Sequence, residues 1–359
     1  MARARNIPTM SAVTAPTDTA SGSVVDAPAD TPTSGANAAS LPRAGEHELD
    51  IESHRRELTG YCYRMLGSGA DADDAVQEAM VRAWRNLDRF EGRSSLRSWL
   101  YRITTNVCLD QLNGRGRRAR PMDMGPATTT ADAVLGELGE HAWVQPVADE
   151  RVVPATADPG ELTAARETIR LAFVAALQLL PPRQRVVLIL REVLRWQATE
   201  VAELLDASVA SVNSALQRAR ATMAAHEPDA RQAEVASDQE ELLARYVDAF
   251  ERYDIPSLVT LLHADATFSM PPHPLWLEGP LEVSRWMLGP GIACDGSKLV
   301  ATTANGCAAF AQYKLVSPDR REPWSIQVIE VSDGKISAIH NYLYPHLFAE
   351  FGLPPYLED

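Results

Sequence analysis

The sequence predicts a multidomain chain in which two all-α domains, the second carrying a helix-turn-helix, are followed by an α+β domain. Three observations lead there. Apolar residues recur at the helical spacing i, i+3, i+4, i+7 through two blocks, about 50 to 118 and 160 to 225. Strand-like runs begin only late in the chain, after a single further helix. Stretches of Ala, Ser, Thr, Pro and Asp separate the blocks, and such stretches lack the apolar surface that repays the entropy of ordering. A chain of 359 residues, 45% hydrophobic and 23% charged, has room for two or three such domains. The expected division is a disordered tail over 1–48, a helical domain over 49–118, a flexible linker over 119–159, a second helical domain over 160–225, a short join over 226–237, the α+β domain over 238–345 and a tail over 346–359.

Each element has its own signal. Leu58, Tyr61, Cys62, Met65 and Leu66 mark the first helix. "GSGADADD" then breaks the pattern and opens an acid-rich helix start, which suits the positive end of the helix dipole. Val76, Ala79, Met80, Ala83, Trp84 and Leu87 form the inward stripe of the second helix, and Leu96, Trp99, Leu100, Ile103 and Val107 that of the third. One short helix is expected in the linker near Ala131–Leu138. A stripe from Leu162 through Ala165, Ile169, Ala172 and Phe173 to Ala176 is stopped by Pro181 and Pro182, which also start the next helix. Beyond it, Val201, Leu204 and Leu205 form one short apolar face and Val212, Leu216, Ala219 and Met223 another, with Thr199 and Ser208 as expected N-caps. The third domain opens with the helix "ELLARYVDAFERYD" and continues in the strand-like runs "ATFSM", "KLVATTANGCAAFAQYKLV", "WSIQVIEVSDG" and "KISAIHNYLY". Asp333-Gly334 between the last two is a hairpin turn.

Composition excludes several classes. No run of eighteen apolar residues exists, so no helix spans a membrane, and the opening residues lack the apolar segment of a secretory signal. Cys62, Cys108, Cys294 and Cys307 are widely spaced, with no CxxC pair and no Cys/His spacing for zinc, so reduced thiols in a cytoplasmic protein are expected, with no metal and no cofactor. The net charge of −14 hides a division. Between Arg85 and Arg120 nine arginines stand against Asp88, Glu91 and Asp110, whereas from Glu227 to Asp359 nine basic residues stand against twenty acidic ones. Local charge governs phosphate contact, so an acidic chain says nothing against a DNA-binding front half.

Two stretches carry chemistry. With Val212, Leu216, Ala219 and Met223 turned inward, the last helix of the second block presents Ser208, Ala210, Ser211, Asn213, Ser214, Gln217, Arg218 and Arg220 outward. Small residues at its start let the backbone sit deep in a major groove, where Asn, Gln and Arg reach base edges. An ordinary helical hairpin has the same outline. In "FEGRSSLRSWLYRITTNVCLD" cations alternate with Phe90, Trp99 and Tyr101, the mixture single-strand binders use, although a solvated arginine face over core aromatics has the same pattern. The helical stripe places Trp84 and Trp99 in the core; Phe90 lies in a loop, free to stack.

"DADDAVQEAMVRAWRNLDRFEGRSSLRSWLYRITTNVCLDQL" resembles region 2 of the extracytoplasmic-function sigma factors of bacterial RNA polymerase, and "LPPRQRVVLILREVLRWQATEVAELLDASVASVNSALQRARATM" resembles their region 4. The resemblance implies promoter-specific initiation with core RNA polymerase and promoter DNA as partners. It implies that Asp74, Gln77, Glu78 and Arg82 contact the polymerase. It gives the −10 element to Arg85, Arg89, Phe90, Arg93, Ser94, Ser95, Arg97, Arg102 and Asn106, and the −35 element to the outward residues from Ser208 to Arg220. The ridge in "RVVLILREVL" would grip the polymerase flap. Strand separation without fuel then works as a population shift toward the melted form.

Minimal members of that family end soon after region 4; this chain continues. The continuation, "YVDAFERYDIPSLVTLLHADATFSMPPHPLWLEGPLEVSRWM" and onward, resembles the SnoaL-like branch of the NTF2-like superfamily, an α+β cone-shaped barrel that some mycobacterial sigma factors carry. The resemblance implies a cavity, for which His263, Asp265, His273, Trp276, Trp286, His340 and Tyr342 are candidate lining. Regulation of the sigma regions is the expected use, with a small ligand or an anti-sigma protein as possible partner and no catalytic residue assigned. The alternative is a ligand-binding or isomerase-like enzyme coupled to a transcription regulator. A repressor binding DNA alone is disfavoured by the region 2 resemblance.

Overall fold

The computed structural model describes residues 51–92, 94–154, 158–226 and 239–358. The tail expected over 1–48 lies outside the described residues, as does the join over 226–237 apart from His226.

The first domain is three helices: α1 (Arg55–Leu66), α2 (Gly69–Asn86) and α3 (Leu96–Leu112). Gly67 at φ 73° ends α1, and the Ser68 hydroxyl accepts the Asp71 N–H to start α2. Ser95 caps α3 in the same way. Leu58 through Leu66 are all buried, so α1 is the central helix. Cys62 and Cys108 are free thiols that meet in this core, with Sγ atoms 3.6 Å apart. Trp84 corrects the expected stripe. It is 46% exposed, because Val76, Met80 and Ala83 already carry the buried line and Trp84 falls one position round the helix.

The second domain contains α4 (Pro159–Glu167), α5 (Leu171–Gln178), α6 (Pro182–Leu188), α7 (Ala198–Leu204) and α8 (Val209–Ala224). The single helix expected before Pro181 is two, interrupted at Thr168 to Arg170. Gln197, not Thr199, caps α7, because Glu200 completes a reciprocal capping box with it. Ser208 caps α8 as expected. Asp206, at φ 49°, makes the turn between them.

The third domain has α9 (Gln239–Glu251), α10 (Ile255–Thr260), α11 (Pro280–Leu288) and α12 (Leu347–Glu350) around one sheet. Its strands are β1 (Leu262–Ser269), β2 (Trp276–Glu278), β3 (Lys298–Ala304), β4 (Cys307–Ser317), β5 (Arg320–Ser332), β6 (Lys335–Tyr342) and β7 (Leu357–Glu358). Their order is β2-β1-β6-β5-β4-β3, with β7 on β5. The sheet is mixed, since β1 runs parallel to β6. The long run read as one strand is a hairpin, β3–β4, turning at Asn305-Gly306 with φ 56° and 71°.

Strand alternation gives the sheet two apolar faces. Phe310, Ile329, Val331 and Ile339 face inward, with α9 to α11, in a core of their own. Ala309, Ala311, Tyr313, Ile326, Val328 and Tyr342 face outward and share one core with both helical domains. The segment expected as a flexible linker is part of that shared core. Trp143, Val144, Val147, Val152 and Val153 are buried, and the Tyr63 hydroxyl donates to the Gln145 carbonyl at 2.8 Å. These residues follow neither helical nor strand spacing, which hides them from periodicity. No helix forms near Ala131–Leu138; that stretch ties onto the third domain instead, with Leu138 N–H donating to Pro272 O and Thr130 N–H to Glu282 Oε2. The expected tail over 346–359 is likewise packed, through Leu347, Phe348 and Phe351.

Candidate nucleic-acid interface

α2 and α3 form a polar, aromatic hollow on the first domain. A cavity of about 360 Å³ is lined by Arg82, Asn86, Arg89, Trp99, Ile103 and Asn106. Phe90 stacks on Trp99 with ring centroids 5.0 Å apart. Trp99, expected in the core, is half-buried and forms a wall of this hollow. Tyr101 is fully buried. Arg85, Arg89, Ser94, Ser95 and Asn106 are exposed; Arg93 lies outside the described residues. Asp74, Gln77 and Glu78 are exposed along the outer side of α2, while Arg82 is half-buried and pairs with Glu78 at 2.5 Å.

The remaining arginines of this face are occupied. Arg97 donates to both oxygens of Glu57 at 3.0 and 3.2 Å and lies over the rings of Tyr101 and Trp196 at 5.1 and 5.5 Å. Arg102 donates to both oxygens of Asp206 at 2.9 and 2.8 Å. Trp196 and Asp206 belong to the second domain, so that domain covers one arginine expected to face DNA and pairs with another.

On α8 every outward residue of the expected reading is exposed: Ser208, Ala210, Ser211, Asn213, Ser214, Gln217, Arg218 and Arg220. Arg220 pairs with Glu192 at 2.5 Å. The ridge that would grip the flap is in the opposite state. Val186, Val187, Leu188, Ile189 and Leu190 are all at most 4% exposed, inside the shared core.

What fastens this closed arrangement is the β3–β4 turn, which sequence reading passed over although Asn-Gly between alternating runs is a strong hairpin signal. Asn305 is fully buried. Its Nδ2 donates to the Tyr63 hydroxyl and to the Ile169 carbonyl, both at 2.6 Å, and its Oδ1 accepts the Val147 N–H at 3.0 Å. Gly306 N–H donates to Asp149 Oδ1 at 2.8 Å. One turn of the third domain thus bonds the first domain, the linker and the start of the second.

The expected lining of a barrel cavity does not converge. His263 and Asp265 bond each other on a partly exposed stretch of β1. His273 meets the Gly136 carbonyl at 2.9 Å and Trp276 donates to the Gly125 carbonyl at 2.9 Å, both outside the cone. His340 and Tyr342 point to the outer face of the sheet: strand alternation turns them away from Ile339, which faces in. His340 bonds Ser269 at 2.9 Å and Glu330 at 3.3 Å. Burial opposes ionisation of Glu330, but the His340 hydrogen bond and charge, with the fields of Arg120 and Arg170, outweigh it and hold its carboxyl at about 2. Of the seven candidates only Trp286 sits in the inner core. The interior instead contains a network in which Tyr246 donates to Gln327, Gln327 and Ser325 donate to Gln312, and Gln312 donates to Ser297. Among the described residues no His, Cys, Asp or Glu group could hold a metal ion, and no helix is long and apolar enough to cross a membrane.

Three family models match the chain. Residues 51–118 match the model of Sigma-70 region 2, residues 170–223 that of Sigma-70, region 4, and residues 243–339 that of the SnoaL-like domain. The chain is 42% identical over 317 residues to the ECF RNA polymerase sigma factor SigG of Mycobacterium tuberculosis, covering 87% of this chain and 85% of that one. It is 29% identical over 318 residues to SigJ of the same organism, covering 83% and 92%. The crystal structure of Mycobacterium tuberculosis SigJ superposes with a TM-score of 0.54 at 25% identity, covering 87% of this chain and all of that one. With regions 2 and 4 in order and a relative of this identity along most of its length, the chain belongs to the extracytoplasmic-function family of RNA polymerase sigma factors, in the form that carries a SnoaL-like domain after region 4.

Proposed function

We propose that the protein binds core RNA polymerase and directs promoter-specific initiation, and that its SnoaL-like domain restrains it by holding regions 2 and 4 closed. The observation that carries the first part is the hollow between α2 and α3. It is large enough to admit a base, walled by Trp99 and rimmed by Arg82, Arg89, Asn86 and Asn106, and it stands beside an arginine-rich surface for phosphate. In this reading Arg85, Arg89, Phe90, Arg93, Ser94, Ser95, Arg97, Arg102 and Asn106 serve the −10 element. Ser208, Ala210, Ser211, Asn213, Ser214, Gln217, Arg218 and Arg220 serve the −35 element. Asp74, Gln77, Glu78 and Arg82 dock on the polymerase, and the protein works in the cytoplasm, where the polymerase is.

The closed state lays Trp196 over Arg97 and pairs Arg102 with Asp206, and the ridge Val186–Leu190 is buried in the same core. Restraint is therefore internal, and a separate anti-sigma protein is not required for it. Catalysis by the SnoaL-like domain is no part of the proposal, because its candidate acid and base groups face away from the interior. The test is binding of a single-stranded −10 fragment to the core polymerase complex. Arg89→Ala and Asn106→Ala weaken it, whereas wild-type affinity in both would remove the hollow from the mechanism.

A further inference from the structure

A second cleft shares no lining residue with the surfaces assigned to DNA. Its volume is about 290 Å³, at the lower edge of the ~300–1,000 Å³ usual for small-molecule sites. One side is the loop Arg117 to Asp123 that follows α3; the other is Ala172, Ala175, Ala176 and Leu179 of α5, with His226 at the rim.

The loop is braced so that its cations are held in place. Arg118 donates to the Glu140 and Trp143 carbonyls at 2.8 Å each and to Asp71 at 2.7 Å. Ala119 exchanges backbone bonds with Ala142 and Val144 at 2.8 and 3.1 Å. Arg120 is fixed by Asp123, which accepts its backbone N–H, its Nε and its Nη2 at 2.9, 3.1 and 2.9 Å. That leaves the Nη1 edge of a half-fixed guanidinium unspent. Among the described residues Arg117 makes no hydrogen bond or close ion pair, though its charge acts on Asp123, and the His226 ring bonds through Nδ1 to the Thr222 carbonyl at 2.8 Å. The cleft lining carries three arginines against the single carboxylate of Asp123, with Glu330 as the further acid acting on Arg120. Opposite them, the three alanines present a flat wall without polar side chains.

We propose that this cleft binds a phosphate-bearing small molecule of about nucleotide size, its phosphate on Arg117 and the free edge of Arg120 and its flat portion on the alanine wall. Fixed guanidinium groups are the preferred partners of phosphate, because their paired N–H groups match its oxygens. The occupant bridges the linker and region 4, so it favours the closed arrangement by mass action.

The test uses the full chain and equilibrium dialysis with inorganic phosphate, ADP, ATP and GDP. Expected is saturable one-to-one binding of a nucleotide, tighter than of phosphate alone, weakened about tenfold in Arg117→Ala, as for loss of a charge-assisted contact. Arg117 is exposed and makes no hydrogen bond, so this variant folds. Ala172→Leu, which fills the wall, weakens the nucleotide more than phosphate. Absence of saturable binding up to millimolar concentration, or wild-type affinity in both variants, would overturn the proposal. Displacement of the nucleotide by a promoter fragment whose own binding falls in Arg117→Ala would also overturn it, assigning the cleft to the DNA backbone.

Discussion

Replacing Asn305 by glycine removes three side-chain hydrogen bonds while keeping the turn, because a Gly-Gly pair adopts the same left-handed conformation as Asn-Gly. Each neutral bond is worth about 1 kcal/mol net, and the orphaned Val147 N–H and Ile169 carbonyl add to the loss, so the closed arrangement is weakened by about 3–5 kcal/mol. At the lower figure the open population rises on the order of a hundredfold, since each 1.4 kcal/mol is about tenfold. The assay is the affinity for core polymerase, read alongside amide hydrogen exchange at Val147 and Gly306. Asn305→Gly binds core about a hundredfold more tightly, with faster exchange at the junction and unchanged far-UV circular dichroism. Gly306→Ala acts in the same direction by another route: the new Cβ would stand 2.7 Å from the Arg166 carbonyl oxygen and 2.8 Å from its Cβ, at φ 71°. Wild-type core affinity with an opened junction would refute the claim that closure restrains the protein. Unchanged exchange would refute the claim that Asn305 holds the junction.

The remaining predictions concern charge. Asp206→Asn frees Arg102 from an exposed pair, so stability changes by less than about 1 kcal/mol while affinity for a melted −10 strand rises at low salt and the gain vanishes at high salt. Arg218→Ala, on the exposed face of α8, lowers duplex −35 affinity and reduces the slope of log affinity against log salt by about one. Glu330 ionises below the ~4.3 of an unfolded glutamate, so its contribution is full above that value and is lost as pH falls toward about 2. Glu330→Gln is therefore destabilising in urea unfolding near neutral pH, and the deficit shrinks as the pH is lowered through that window.

Helices were readable wherever a periodic stripe meets a single core. α1 buries every residue its spacing names and α8 buries Val212, Leu216 and Ala219, whereas of the α3 stripe only Leu100 and Val107 are buried. Trp84 shows the limit: a stripe locates a helix face to within one position, and a large aromatic at its edge can fall on either side. The shared core was not legible. Trp143 and Val147 have no period, and their partners lie in three domains far apart in the chain. The surface proposed for DNA was legible as residue types, but not the fact that Trp196 and Asp206 cover part of it, since that depends on how region 4 turns back on region 2. The cone interior failed for a related reason. Histidines and carboxylates attract notice in a sequence, while Gln312, Gln327 and Ser325, which fill the interior, do not.

The central claim is tested most directly by run-off transcription with purified core polymerase on a library of promoter fragments. Specific starts are expected that require this protein, are lost with Arg89→Ala or Arg218→Ala, and become more abundant with Asn305→Gly. Failure of both the wild type and Asn305→Gly to bind core or to yield any specific start would contradict it.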